Sequence, residues 1–175
     1  MKSEIPKRIA IIGLPGSGKS TFAFELANLL NIPLHHLDRH VFDGRKKRDR
    51  QEFLAIKKAL VSEECWIIEG CSLSTLEMRF ARADMIIYFH FSSLLCIWRL
   101  CKRLFYFDKT SIKSGCLRGI NWPLLKYVWT FDRNNRESIE ELKRKYPLVK
   151  FIIFRKSCDL YKFLDEIQKC KDLKK

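Results

Sequence analysis

The chain has 175 residues, 47% of them hydrophobic and 31% charged, which suits a single globular domain with a sizeable core and excludes a disordered chain. A formal net charge of +14 predicts attraction to polyanions, whether nucleotide phosphates, an anionic substrate or nucleic acid, without choosing among them. Seven cysteines form no C-x-x-C pair, which argues against a disulfide framework; they are read as reduced thiols, several of them buried.

The residues up to Arg8 lead directly into the strand Arg8 to Ile12, with no signal-peptide core, so a cytoplasmic protein is expected. Gly13 to Ser20 reads Gly-Leu-Pro-Gly-Ser-Gly-Lys-Ser and fits the phosphate-binding pattern G-x-x-x-x-G-K-[ST] between a strand and a helix. Backbone N–H groups of such a turn surround a β-phosphate, and the positive end of the following helix favours an anion. The candidate nucleotide-binding residues are Gly13, Pro15, Gly16, Ser17, Gly18, Lys19, Ser20 and Thr21. Lys19 would reach the β- and γ-phosphates of ATP, and the Ser20 hydroxyl would ligate Mg2+. A helix is predicted from about Lys19 to Leu30, with Phe22, Leu26, Leu29 and Leu30 on its apolar stripe and Pro33 preventing its extension.

Pro33 to Asp38 reads as a second strand ending on a carboxylate. Ligand crevices in open parallel sheets lie beyond the carboxyl ends of the strands, so Asp38 is a site candidate, with a turn cap as the alternative. His35, His36, Asp38 and His40 crowd together, but strand alternation sends neighbours to opposite faces and no second cluster completes a zinc set. Gly44 to Arg50 is a basic, polar connection, followed by a helix from Glu52 to Ser62. Cys65 to Gly70 is the third strand, placing Glu69 beside the phosphates by the same crevice rule. A short helix from Leu73 to Ala81 and a wholly apolar strand from Met85 to Phe91 follow. The most apolar stretch, Met85 to Trp98, contains His90, Ser92 and Ser93 and falls short of the about 20 residues a membrane span needs.

Leu94 to about Phe107 is helical, with Trp98, Cys101 and Phe105 read as lying on or near its buried stripe. Residues 106–121 carry two glycines and little apolar content and read as a basic lid, and 39–64 as a second mobile segment on the acceptor side. Trp122 to about Tyr146 is helical, its apolar pattern interrupted at Thr130 to Arg136. Leu148 to Phe154 is the fifth strand, and Leu160, Phe163, Leu164 and Ile167 stripe a last helix. Strands alternating with helices require parallel pairing with right-handed crossovers. The expected architecture is α/β: a three-layer P-loop NTPase fold, one five-stranded parallel sheet with helices on both faces.

Several phrases resemble the bacterial topology modulation proteins, an adenylate-kinase-like branch of the P-loop kinases. They are Ile-Ile-Gly-x-Pro-Gly-Ser-Gly-Lys-Ser, the His-Leu-Asp at Asp38, Trp66 to Gly70, Arg82 to Asp84, Trp98-Arg99 and Trp129 to Phe131. The resemblance implies a phosphoryl-transfer enzyme or an ATPase, a nucleoside-monophosphate-kinase-like fold with a lid, and a link to DNA topology. It implies that Gly70 lets an acceptor approach, and that Arg99 or Arg103 and Arg133 or Arg136 reach the transferring phosphate. Glu69 stands where Asp is usual, and Cys71-Ser72 replaces the Phe-Pro-Arg of true adenylate kinases, which removes an arginine that AMP would need.

The expected function is transfer of the γ-phosphoryl of ATP to a small acceptor, a nucleotide or nucleoside among the choices. Asp38 would orient or deprotonate the acceptor, and Glu69 would hold a Mg2+-bound water. The alternatives are a nucleotide-regulated, non-specific nucleic-acid-binding protein and a stand-alone ATPase. Oligomeric state leaves no signature in the sequence.

Overall fold

The computed structural model describes residues 5–43, 46–71, 76–105 and 122–172. Strand β1 (Arg8–Gly13) lies at the centre of a five-stranded sheet, buried from Ile9 onward. To one side run β5 (Trp66–Glu69) and then β2 (Leu34–His36); to the other run β6 (Met85–Phe89) and then β7 (Lys150–Phe154). Every pairing within this sheet is parallel, so all five strands end along one edge, at Gly13, His36, Glu69, Phe89 and Phe154. With helices on both faces this is the predicted three-layer α/β architecture. β5 and β6 are buried at every position, as covered faces require. Phe22, Phe89, Phe154 and Phe163 stack edge-on or tilted between the sheet and the helices.

Helix α1 (Lys19–Leu30) matches the predicted span, closed by Asn31 in the left-handed conformation. Helix α2 (Arg50–Ser62) starts two residues before the predicted Glu52, because the Asp49 side chain accepts the Gln51 N–H at 2.9 Å and caps the end there. Two expectations need correction. The second strand stops at His36 and Asp38 lies in a 3-10 turn (Leu37–Val41), where buried Leu37 anchors the chain beneath Gly70. The basic connection is not wholly a loop: β4 (Lys46–Lys47) within it pairs antiparallel with β3 (Phe42–Asp43) just before it. The long helix matches its expected span: it runs unbroken from Trp122 to Lys145 as α5, through Thr130 to Arg136, with Val128, Phe131 and Ile139 on its buried line.

The remaining helices are α3 (Leu76–Phe80), α4 (Ser93–Phe105) and α6 (Ser157–Asp172). Trp98 is not on the buried stripe of α4: Cys96 and Leu100 are, and Trp98, about 200° around the helix from Cys96, is 58% exposed. Of the cysteines among the described residues none is in a disulfide, and only Cys96 is fully buried. The predicted lid, 106–121, lies outside the described residues, as do Cys116 and the first part of the predicted helix Leu73 to Ala81. Among the described residues no helix is long and apolar enough to cross a membrane.

Arg82 to Asp84, one of the phrases behind the family resemblance, has a structural explanation. Asp84, just before β6, accepts from the backbone of Lys7 and Arg8 and from the Arg8 guanidinium at 2.6 Å and 3.2 Å, which ties the start of β1 to its neighbour. Burial is the largest single influence on its carboxyl and opposes ionisation, but the Arg8 guanidinium and two backbone N–H groups together outweigh it and hold the carboxyl below the usual range.

Candidate active site

The turn from Leu14 to Gly18 leaves the carboxyl end of the central strand and feeds α1. Gly16 and Gly18 have φ of 81° and 95°, left-handed values that other side chains adopt only with strain. They do different things. A Cβ at Gly16 would lie 2.5 Å from the Cys96 carbonyl oxygen, so the residue lets α4 pack onto the turn; a Cβ at Gly18 would meet nothing within 4 Å. Gly18 supplies no capping side chain, and the first turn of α1 has no acidic residue, so the positive helix end faces open space.

Lys19 is 4% exposed, its Nζ donates to the Leu14 carbonyl at 2.7 Å, and it approaches Glu69 Oε1 at 3.9 Å. The ammonium thus folds back across its own turn. Burial pulls Lys19 down, but neighbouring Cys71, Glu69 and Asp38 outweigh it and the group stays above an ordinary lysine. At neutral pH the two carboxylates supply that effect, because burial pushes the Cys71 thiol up to about 11 and keeps it protonated. Glu69 Oε2 accepts from Ser20 Oγ at 3.3 Å and from His36 Nδ1 at 3.0 Å. Burial opposes ionisation of Glu69, yet His36, Lys19 and Ser20 together hold its carboxyl below the usual range.

Asp38 is open to solvent and still belongs to this cluster, since its electrostatic neighbours are Glu69, Lys19, Arg79 and His36. Withdrawal of water on its inner side, with the negative charge of Glu69, pushes its carboxyl above the usual value. The two acids are therefore driven in opposite directions, the pattern that separates a proton acceptor from a permanent anion. Around them lie residues without any sequence motif. Arg79 is buried, donates to the Gly70 carbonyl at 3.2 Å, and is pulled down to about 10 chiefly by burial. The Tyr127 hydroxyl donates to the Cys71 carbonyl at 3.3 Å, bringing α5 to the end of β5. At Gly70 a Cβ would lie 2.9 Å from Leu37 Cβ, so the glycine is required by the packing of the 3-10 turn.

Between the turn, α1, α4 and α6, a cavity of about 380 Å3 is lined by Gly16 to Gly18, Thr21, Arg99, Lys102, Ser157 and Tyr161, among others. Arg99 does not join the acids. Its guanidinium donates to the Ser17 carbonyl at 3.1 Å and to Ser157 Oγ at 2.9 Å, joining the turn to the start of α6. Arg133 and Arg136 are exposed on α5, and the side chain of Arg103 lies outside the described residues. The structure therefore brings together Lys19, Ser20, Asp38, Glu69 and Gly70, and places Arg99 across the turn from them. Among the described residues no three His, Cys, Asp or Glu side chains form a metal-binding group: His35 pairs with Glu63 at 3.0 Å, away from His36.

No family model and no curated protein matches the chain. Solved structures do match. A shikimate kinase from Bacteroides thetaiotaomicron aligns with a TM-score of 0.58 and 14% identity over 96% of this chain and 99% of that one. A shikimate kinase from Acinetobacter baumannii, in complex with shikimate, gives 0.57 and 14% over 97% and 94%. A gluconokinase from Sinorhizobium meliloti gives 0.54 and 18% over 94% and 91%. The fold is that of the P-loop NTPases. At this level of identity the likeness concerns architecture.

Proposed function

We propose that the protein is a P-loop kinase that moves the γ-phosphoryl of ATP to a hydroxyl of a small acceptor. One observation carries the proposal: Lys19, Ser20 and Glu69 form one bonded cluster at an open helix N-terminus, with a cavity on one side and Asp38 on the other. A nucleotide lies with its base and ribose in the cavity beside Arg99, Lys102 and Tyr161 and its phosphates along Gly13 to Thr21. Lys19 swings from the Leu14 carbonyl to the β- and γ-phosphates. Ser20 and Glu69 offer hard oxygen donors 3.3 Å apart, a set that fits Mg2+, which takes few protein ligands and keeps several waters. Ser20 would hold the ion directly and Glu69 through water, and an ion held there would supply positive charge against the charge that develops on the phosphate.

Asp38, open to solvent and with its carboxyl raised, is suited to orient an acceptor hydroxyl and take its proton as the phosphoryl group leaves ATP. Phosphoryl transfer needs positioning and cations more than covalent help, which matches a site built from one lysine, arginines and a turn. The names of the similar structures, shikimate kinase and gluconokinase, favour a polyhydroxy acid over a nucleotide as acceptor. The resemblance to the topology modulation proteins belongs to the same reading, since it rests in part on the phosphate turn and on the His-Leu-Asp that ends at Asp38. The net charge of +14 favours, as a second reading, non-specific binding to nucleic acid, which would weaken steeply with salt.

The test is a screen of sugar acids, polyols and nucleosides for acceptor-dependent ADP formation from ATP and Mg2+. An acceptor that raises ADP output in the wild type and not in Lys19→Ala supports the proposal. ADP output that no acceptor changes assigns the chain to the ATPases.

A further inference from the structure

Given the ATP and Mg2+ site proposed above, on which this inference rests, we propose that His36 is a positioning residue that holds Glu69 in place for the metal. The sequence offers His36 only as one of several crowded histidines. The sheet sorts them. Parallel pairing of β2 with β5 places His36 directly opposite Glu69, and His35 opposite Ile68, so the two rings leave opposite faces of the sheet. His35 turns to Glu63 at the end of α2, whose side chain is 40% exposed. His36 turns to the phosphate site, where its side chain is 15% exposed and Glu69 is 6% exposed.

Glu69 is ionised and can only accept, so the 3.0 Å contact requires a proton on His36 Nδ1. The oxygen that accepts it, Oε2, also faces Ser20 Oγ at 3.3 Å, while Oε1 faces Lys19 Nζ at 3.9 Å. Glutamate has one more rotatable bond than aspartate, and a longer stem costs more entropy to hold in one orientation. Both groups on the phosphate side are committed elsewhere during catalysis, Lys19 to the phosphates and Ser20 to the ion. His36 is then the contact of Glu69 that nothing else recruits. It acts through Glu69 and touches neither nucleotide nor acceptor.

The test compares ATP affinity by calorimetry in excess Mg2+ and in EDTA. In His36→Ala the gain in affinity that Mg2+ confers should shrink about tenfold or more, as loss of an outer partner of a metal site does, while affinity in EDTA is unchanged. His36→Asn, whose amide nitrogen can donate from nearly the same place, should recover most of it. If His36→Ala does not fold, His36→Phe fills the space without a donor and takes its place in the comparison. A loss of equal size with and without Mg2+ makes His36 merely structural and overturns the proposal, as does an unchanged Mg2+ effect. Lys19→Ala in the same titration separates the two levels. If it binds ATP like the wild type, the nucleotide site itself is wrong; if it loses binding while His36→Ala matches the wild type, only the role of His36 fails.

Discussion

Gly16 and Gly18 stand two residues apart in the same turn, with similar left-handed φ, and a methyl group added to each should have opposite consequences. At Gly18 the added Cβ meets nothing within 4 Å, so the cost to folding is the left-handed strain alone, about 1–2 kcal/mol. For a chain of this size that lowers Tm by about 2–8 °C. At Gly16 the same strain is joined by contact with the Cys96 carbonyl at 2.5 Å and Leu100 Cγ at 2.8 Å, and a backbone oxygen cannot move aside. Overpacking adds about 1–3 kcal/mol, for a total of about 2–5 kcal/mol. Binding reverses the order of severity relative to folding. Gly18 lines the cavity, where the proposed function has backbone N–H groups approach phosphate. Loss of one hydrogen bond to a charged oxygen, about 1.5–3 kcal/mol, corresponds to about 10- to 100-fold in ATP affinity. Thermal melting and calorimetry on Gly16→Ala and Gly18→Ala read both quantities. A Gly18→Ala protein that binds ATP and Mg2+ like the wild type, or is destabilised as much as Gly16→Ala, would refute the assignment of that space to phosphate.

Asp38→Asn should keep ATP affinity within about twofold, since the P-loop contacts are untouched, and lose acceptor-stimulated turnover by about a hundredfold, measured as ADP release with the acceptor found in the screen. Asp84 is held low by Arg8 and backbone donors, so its contribution to stability is complete above the ordinary carboxylate value of about 3.9 and disappears as pH falls through its depressed value. The Tm difference between wild type and Asp84→Asn should therefore be largest near neutrality and shrink below about pH 4. Lys57 is buried, and burial with the nearby Arg79 pulls its ammonium down to about 8, whereas the unfolded chain keeps that proton to about 10.4. The unfolded state binds more protons in between, so stability should rise from about pH 8 to pH 10 in the wild type, and less so in Lys57→Met, as measured by urea unfolding at pH 7.5 and 9.5.

Strands and the phosphate turn were legible because each is a local pattern: apolar runs bounded by turn residues, and a glycine-lysine spacing that a strand and helix must flank. Asn31 and Pro33 made the end of α1 readable in the same way. The edge rule put Asp38 near Glu69, and although its strand stops two residues short of it, the 3-10 turn still leaves it within electrostatic reach of Glu69 and Lys19. Arg99 shows where local reading ends. Helical spacing gives it a face of α4 but cannot show that Ser17 and Ser157, 82 and 58 residues away in the chain, lie across from that face. His36 depended on strand register, which no motif encodes, and Trp98 was misplaced because aromatic content was weighed above its angle from Cys96. Asp84 resembled part of a functional phrase and instead ties two strands together.

Transfer of the γ-phosphoryl group itself is the central claim, and it is measured directly by following γ-labelled ATP with Mg2+ and the acceptor from the screen, separating labelled product from free phosphate. The wild type should give labelled acceptor in amounts equal to the ADP formed, and Lys19→Ala should give neither. Label recovered only as inorganic phosphate, whatever acceptor is present, would contradict the account.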